Sequence, residues 1–248
     1  MAVLLTRPSP DSETGAAALR ARGFEVLLAP MLRFEPVPFQ DDAETKYHAV
    51  IVTSSNALRA ILPELKQSRL LKLPLFAVGE HTATTAREVG FVNVIVAKGD
   101  AAALRDRVLE SLRAKEIKKK SRLLYLAGAD LSRDLAGELG QHGLEVITRT
   151  TYRMVALSTL PRAVRDAFAS HEVEAVLHYS RRSAAAFLEA VRNEGIEITA
   201  LAVPQCCLSA NVAAVLHEAG AARVKVAAST DEKALFEALE RALPSRLA

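Results

Sequence analysis

Tryptophan is absent, and the other aromatics are scarce: 8 Phe and 4 Tyr stand in a chain that is 50% apolar. With Ala, Leu and Val dominant, the core is expected to be small-residue aliphatic packing of the kind that layered α/β folds use. The only two cysteines, Cys206 and Cys207, are adjacent in an expected strand, so their side chains face opposite ways and no disulfide joins them. No CxxC pair exists, and buried thiols in a reducing compartment are expected. No apolar run approaches the roughly 20 residues of a membrane span. The opening MAVLLTRP has neither the apolar core nor the cleavage site of a secretory signal, so a cytoplasmic location is expected.

Nucleotide signatures are missing too, since neither GxGxxG nor GxxxxGK[ST] occurs. His48, His81, His142, His171, His178 and His217 show no HxH or HExxH spacing, and there is no GxSxG elbow. No metal and no cofactor are therefore expected. Charge of one sign is also lacking: the net is +3, which suits an acidic ligand without demanding one. The run Lys115–Arg122 (KEIKKKSR) has no aromatic company and reads as a solvated loop rather than a nucleic-acid surface.

What is present is alternation. Strands are expected at Val3–Thr6, Glu25–Ala29, Ala49–Thr53, Leu75–Val78, Val94–Ala97, Leu123–Leu126, Glu145–Thr150, Ala175–Tyr179, Val203–Leu208 and Val224–Ala227. Between them lie Ala/Leu-rich helices: from Asp11 or Ser12 to Arg22, then Asn56–Lys66, His81–Val89, Asp100–Arg113, Leu131–Gln141, Leu160–Ala169, Arg182–Arg192, Asn211–Glu218 and Asp231–Ala242. Gly23, Gly90, Gly143 and Gly220 supply left-handed stops. Alternation of this period means βαβ units and mostly parallel sheets.

The chain also repeats itself. GFEV at Gly23 returns as GLEV at Gly143; VIVTSSNALRAIL at Val50 returns loosely as AVLHYSRRSAAAFL at Ala175. The stretch around Gly79 resembles that around Ser209, and NVIVA at Asn93 matches RVKVA at Arg223. The order is kept throughout, which points to a duplicated unit. Phe34–Pro38 (FEPVP) and Thr151–Leu157 (TYRMVAL) follow the second strand of each repeat and are the candidate hinges. Prolines 36 and 38 favour an extended connection there. Crossing at both places would make residues 36–150 an inserted lobe and residues 1–35 with 155–248 a discontinuous one, with two strands between them.

The chemistry-bearing residues gather at the carboxyl ends of the expected strands: Thr6-Arg7-Pro8-Ser9, Thr53-Ser54-Ser55-Asn56, Val78-Gly79-Glu80-His81-Thr82, Tyr179-Ser180-Arg181-Arg182-Ser183 and Leu208-Ser209-Ala210-Asn211. Ligands of open parallel sheets bind at this edge, where helix N-termini offer unpaired N–H groups to anions. Each turn alone is also an ordinary helix cap. Together, with Arg7, Arg181 and Arg182 near, they predict a cleft between lobes for a multiply anionic small molecule. The expected binding residues are Arg7, Ser54, Ser55, Asn56, Gly79, Thr82, Ser180, Arg181, Ser183 and Ser209; solvated surface arginines are the alternative for the guanidinium groups.

The order LLTRP, VIVTSSNA, FAVGEHTATTAREVGF, RTTYRM, AVLHYSRRSA and CLSANVA resembles the uroporphyrinogen-III synthase family over nearly the whole chain. One loop departs: where many members carry Ile-Gly-x-x-Thr-Ala, this chain has Leu208-Ser209-Ala210-Asn211-Val212-Ala213, whereas Val78–Ala83 keeps the pattern. The resemblance implies an α/β fold of two similar three-layer lobes with parallel sheets, joined by a two-stranded connector. It implies a cofactor-free, monomeric lyase that closes hydroxymethylbilane, a linear tetrapyrrole, to uroporphyrinogen III with loss of water and inversion of the last ring. It nominates Tyr152 as proton donor to the leaving hydroxyl. A phenol, with a pKa of about 10, stays protonated at neutral pH; packing between lobes is the other reading of Tyr152. No nucleic-acid or membrane partner is implied. Two rivals stand beside this reading. One is a non-catalytic two-lobed binding protein for an anionic small molecule. The other is a flavodoxin-like switch, which should carry an acidic cluster where this chain has Thr6-Arg7-Pro8-Ser9.

Overall fold

A computed structural model of the chain describes residues 1–9, 11–42 and 44–243; the last five residues of the expected discontinuous lobe lie outside them. Two compact units form, one from Met1–Phe34 with the chain from Val155 onward, the other from Glu35–Met154.

In the first unit, β1 (Ala2–Leu5), β2 (Glu25–Leu28), β9 (Val173–His178), β10 (Gln205–Cys207) and β11 (Val224–Val226) form a sheet in the order β11-β10-β9-β1-β2. Every pairing in it is parallel. Helices α1 (Asp11–Arg20) and α11 (Glu232–Ala242) cover one face, packing Leu19, Leu235 and Leu239 on Val3, Leu5, Leu177 and Cys206. On the other, α8 (Arg181–Asn193) and α10 (Ala210–Glu218) pack Leu188 and Leu216 on Cys207. The adjacent cysteines thus enter opposite cores, as strand alternation requires. Both are free and buried, and burial pushes both thiols up to about 12. α7 (Arg162–Ala169) and α9 (Glu197–Ala202) complete the unit.

The second unit has the order β3-β8-β7-β4-β5-β6, from β3 (Leu32–Pro36), β4 (Ala49–Val52), β5 (Leu75–Val78), β6 (Val94–Ala97), β7 (Arg122–Gly128) and β8 (Glu145–Ala156). From β8 to β6 all pairings are parallel. β3 runs the other way: the Leu157 N–H reaches the Met31 carbonyl while Val37 N–H reaches that of Thr151. Successive residues of β4 serve opposite cores. Val50 and Val52 pack under α2 (Ser55–Ala60), α3 (Leu62–Leu65) and α4 (Gly79–Glu88). Ala49 and Ile51 pack under α5 (Ala101–Arg113) and α6 (Leu135–Gly140). Burial on both faces is why these strands read as unbroken apolar runs. The fold is therefore α/β, with two three-layer units and parallel sheets linked through β3 and β8, as the resemblance implied.

The two sheets are the same object built from swapped repeats. β1-β2 pairs Ala2 with Glu25, and β7-β8 pairs Arg122 with Glu145; β5-β6 pairs Leu75 with Val94, and β10-β11 pairs Gln205 with Val224. Apart from the edge strand β3, each sheet thus takes two strands from one repeat and three from the other, with the corresponding registers kept.

Local chemistry explains the differences from the sequence reading. The helix expected over 56–66 breaks at Ile61, because Pro63 sits at the start of α3 and cannot continue a helix interior. The helix expected from Leu131 begins only at Leu135, where the Asp134 carboxylate accepts from the Gly137 N–H at 2.9 Å. The expected strand Glu145–Thr150 runs on to Ala156, taking in the second candidate hinge. The first candidate hinge contributes to β3, whose last residue is Pro36; an edge strand tolerates a residue that cannot donate. α9, between the expected helix Arg182–Arg192 and the expected strand Val203–Leu208, was not expected.

Candidate functional site

In the second unit the expected residues follow the ends of β4 and β5 or, for Tyr152, lie on β8 level with the end of β7, where the sheet order is β8-β7-β4-β5. Tyr152 owes its position to a bulge. β7 and β8 pair Ala127 with Thr150 but Gly128 with Tyr152, so Thr151 is the extra residue, and its hydroxyl donates to the Ala127 carbonyl at 3.3 Å. A bulge re-aims the side chain that follows. Here it lays the Tyr152 ring on Gly128: a Cβ added at Gly128 would stand 2.7 Å from Cζ and 2.9 Å from Oη of Tyr152. The Ala129 N–H then closes on the Tyr152 carbonyl at 2.8 Å. The ring also packs against the core beneath α2 and α4.

At the end of β4, Ser54 caps α2, its hydroxyl accepting from Asn56 N–H at 3.3 Å. Ser55 is buried, and the Asn56 side-chain oxygen accepts from Arg59 at 3.3 Å. Thr53, just before them, shares a 3.1 Å hydrogen bond with the Tyr125 hydroxyl, tying the end of β4 to β7. Burial pushes the Tyr125 phenol up, so it stays protonated. At the end of β5, Gly79 opens α4 at φ +70°. That backbone is left-handed, and with nothing within 4 Å of an added Cβ it is conformation rather than space that calls for glycine. No side chain caps α4, leaving its first N–H groups to another acceptor. Thr82 is buried one turn in.

The first unit gathers its set on β1, β9 and β10, again neighbours. Arg7 is already engaged. Nη1 lies 3.1 Å from the Glu232 carboxylate and Nη2 3.0 Å from that of Asp11, with the guanidinium 5.0 Å from the centre of the Tyr179 ring. A substrate carboxylate reaching Arg7 would compete with both acids. The Tyr179 hydroxyl is buried without a hydrogen-bond partner. Burial first, then the nearby Glu232 carboxylate, pushes it well above the usual phenol range. Ser180 caps α8, accepting from Ser183 N–H at 3.1 Å, and the two hydroxyls lie 2.9 Å apart. Ser183 is fully buried, whereas Arg181 and Arg182 are exposed. Ser209 precedes α10 without a side-chain cap bond. Its φ of −155° contrasts with the left-handed Gly79, its counterpart in the other repeat. The altered loop therefore starts its helix one residue later than α4 does.

The ten residues expected to bind and Tyr152 thus fall in two rows, one on the carboxyl edge of each sheet. Sequence reasoning placed Tyr179 in a strand-end turn but missed its contact with Arg7, and it missed Tyr125 and Glu232. An aromatic at the end of β9 was a usable signal for Tyr179. Glu232 comes from the start of α11 and carried none. Among the described residues no three His, Cys, Asp or Glu side chains gather as metal ligands, and no helix is long and apolar enough to cross a membrane.

A family model described as Uroporphyrinogen-III synthase HemD matches residues 13–237. Among solved structures, the uroporphyrinogen-III synthetase of Helicobacter pylori superposes with a TM-score of 0.63 at 21% identity, covering 100% of this chain and 99% of that one. A mutant uroporphyrinogen III synthase from the extremely thermophilic bacterium Thermus thermophilus superposes with a TM-score of 0.58 at 16% identity, covering 99% and 100%. No curated protein matches the chain. At these identities the structural likeness speaks for the fold, and the family match for kinship.

Proposed function

The chain belongs to the uroporphyrinogen-III synthase family, lyase-type enzymes of tetrapyrrole biosynthesis, and from that premise we propose that it closes hydroxymethylbilane to uroporphyrinogen III. The terminal pyrrole nitrogen pushes out the hydroxyl. Tyr152 donates its phenolic proton to the departing oxygen, water leaves, and an azafulvene cation remains. The substituted carbon of the last ring attacks that cation to give a spiro intermediate. Reopening and reclosure then invert the ring, and loss of a proton restores aromaticity.

Because the substrate can ionise unaided, the protein's task is to choose which carbon attacks, and positioning carries most of that work. Arg7, Ser54, Ser55, Asn56, Gly79, Thr82, Ser180, Arg181, Ser183 and Ser209 hold the acetate and propionate arms through N–H groups, hydroxyls and guanidinium groups. The observation that carries the reading is the bulge that lays Tyr152 on Gly128, beside the uncapped helix that begins at Gly79. The enzyme works as a monomer in the cytoplasm, without cofactor, nucleic-acid or membrane partner. No observation favours the non-catalytic alternative. Freshly made hydroxymethylbilane, incubated with the purified protein and oxidised, should yield uroporphyrin III in large excess over uroporphyrin I. The buffer's ratio of the two isomers would refute the assignment.

A further inference from the structure

The basic run that reads in sequence as a solvated loop borders a pocket. At the amino edge of the second sheet, away from the strand ends described above, a depression of about 920 Å³ opens between the end of α5, the loop into β7 and the loop into β8. Its floor is apolar, built from Leu109, Leu112 and Ile117, and its rim carries Arg113, Lys115, Lys118 and Lys119. None of these four cations has an ion pair among the described residues. Two lysines of the loop, Lys115 and Lys120, hold a left-handed backbone at φ 62°, a conformation that non-glycine residues adopt at a cost.

The loop is pinned there. Glu116 and Ile117 N–H groups share the Ser111 carbonyl at 3.0 and 3.2 Å, and Lys120 N–H reaches the Gly143 carbonyl of the facing loop at 2.8 Å. The backbone that carries the lysines is thus held at the concavity, and like charges gathered there repel unless an anion joins them.

We propose that this pocket is a second ligand site, for a polycarboxylate with a flat apolar body, the chemical class of the cyclic tetrapyrrole product. Its volume falls within the span of about 300–1,000 Å³ typical of small-molecule sites. An apolar floor takes the ring body, and unpaired cations take the carboxylates by charge-assisted hydrogen bonds. The shape disfavours the other acidic surfaces. No Phe, Tyr or Trp lines the pocket, which leaves His142 as the single ring there and no platform for successive bases, and the apolar residues are more buried than the cations, out of reach of a flat bilayer. The contrast with the first unit is direct: there Arg7 is neutralised by two carboxylates, whereas here the cations stand open.

The choice of ligand class rests on the proposed function, so the test separates the two. Uroporphyrin III, the stable oxidised product, is titrated into the full chain by fluorescence. The wild type should bind two equivalents, and Lys118→Glu/Lys119→Glu one, the second class weakened at least tenfold. Circular dichroism and the cyclisation rate should be unchanged, and Lys118→Arg/Lys119→Arg should keep both equivalents. Unaltered binding in the charge-reversed variant overturns the proposal. So does a folded variant that loses cyclisation together with binding, because the lysines would then belong to the reaction site. If the wild type binds porphyrin but fails to cyclise the bilane, the proposed function falls while loss of one equivalent on charge reversal still marks this pocket.

Discussion

His178 ends β9, immediately before the Tyr179–Ser183 turn, and is fully buried. Its ring Nε2 lies 2.9 Å from the side-chain oxygen of Gln205. The Gln205 amide N–H groups are spent on the Ala200 and Val203 carbonyls at 2.7 and 2.9 Å. The Gln205 oxygen can therefore only accept, so Nε2 carries the proton and Nδ1 is the bare nitrogen. Nδ1 is buried with no partner, and protonating it would place a charge where nothing receives it. Burial accordingly lowers the His178 pKa from 6.5 to about 4.

The unfolded chain binds this proton between those two values and the folded chain does not. The stability that neutral His178 represents is thus whole above the unfolded pKa and drains away as pH falls toward the folded one. Between about pH 7.5 and about pH 4.5 the loss from this residue alone comes to about 2.5 kcal/mol at 1.36 kcal/mol per pKa unit. Urea unfolding of the wild type and of His178→Gln at both pH values checks it. The variant should be less stable at neutral pH but should lose about 2.5 kcal/mol less on acidification. Equal acid sensitivity in the two proteins would refute the assignment of Nδ1 as an unpartnered base.

Tyr152→Phe should fold normally and lower the cyclisation rate only moderately, about tenfold or less, because the substrate can ionise unaided; abolition of isomer III in a folded variant would mean the phenol does more than assist departure. Gly128→Ala puts a methyl 2.7 Å from Cζ of Tyr152, so the ring must move. Stability should fall by about 1–3 kcal/mol and the rate by as much as in Tyr152→Phe, whereas a double variant no slower than either single would confirm that both act through the ring. Glu232→Gln releases Arg7 from one of its two carboxylates. If Arg7 serves the substrate, KM should drop a few-fold, and an unchanged or raised KM would remove Arg7 from the site.

The class of fold and the cap-rich turns were legible because they rest on local signals. Apolar runs buried on both faces gave the parallel strands, and Gly23, Gly90, Gly143 and Gly220, all at positive φ, gave the helix stops. The length of β8 was hidden, since Thr151–Ala156 alternates too weakly to announce a strand and becomes one by pairing with β3. The bulge at Thr151 was equally invisible, because it exists only in the register with β7. Long-range partners escaped for the same reason: nothing near Arg7 in sequence foretells Glu232, and nothing near Thr53 foretells Tyr125. Where Pro63 and Asp134 redrew helix ends, the signals were present and were outweighed by the apolar period.

The claim that the strand-end turns dictate which carbon attacks is tested most directly at Gly79, where the backbone itself demands glycine. In a folded Gly79→Val variant, the account predicts that bilane is still consumed while the share of uroporphyrin III collapses toward that of the uncatalysed reaction. An undiminished yield of isomer III would contradict it.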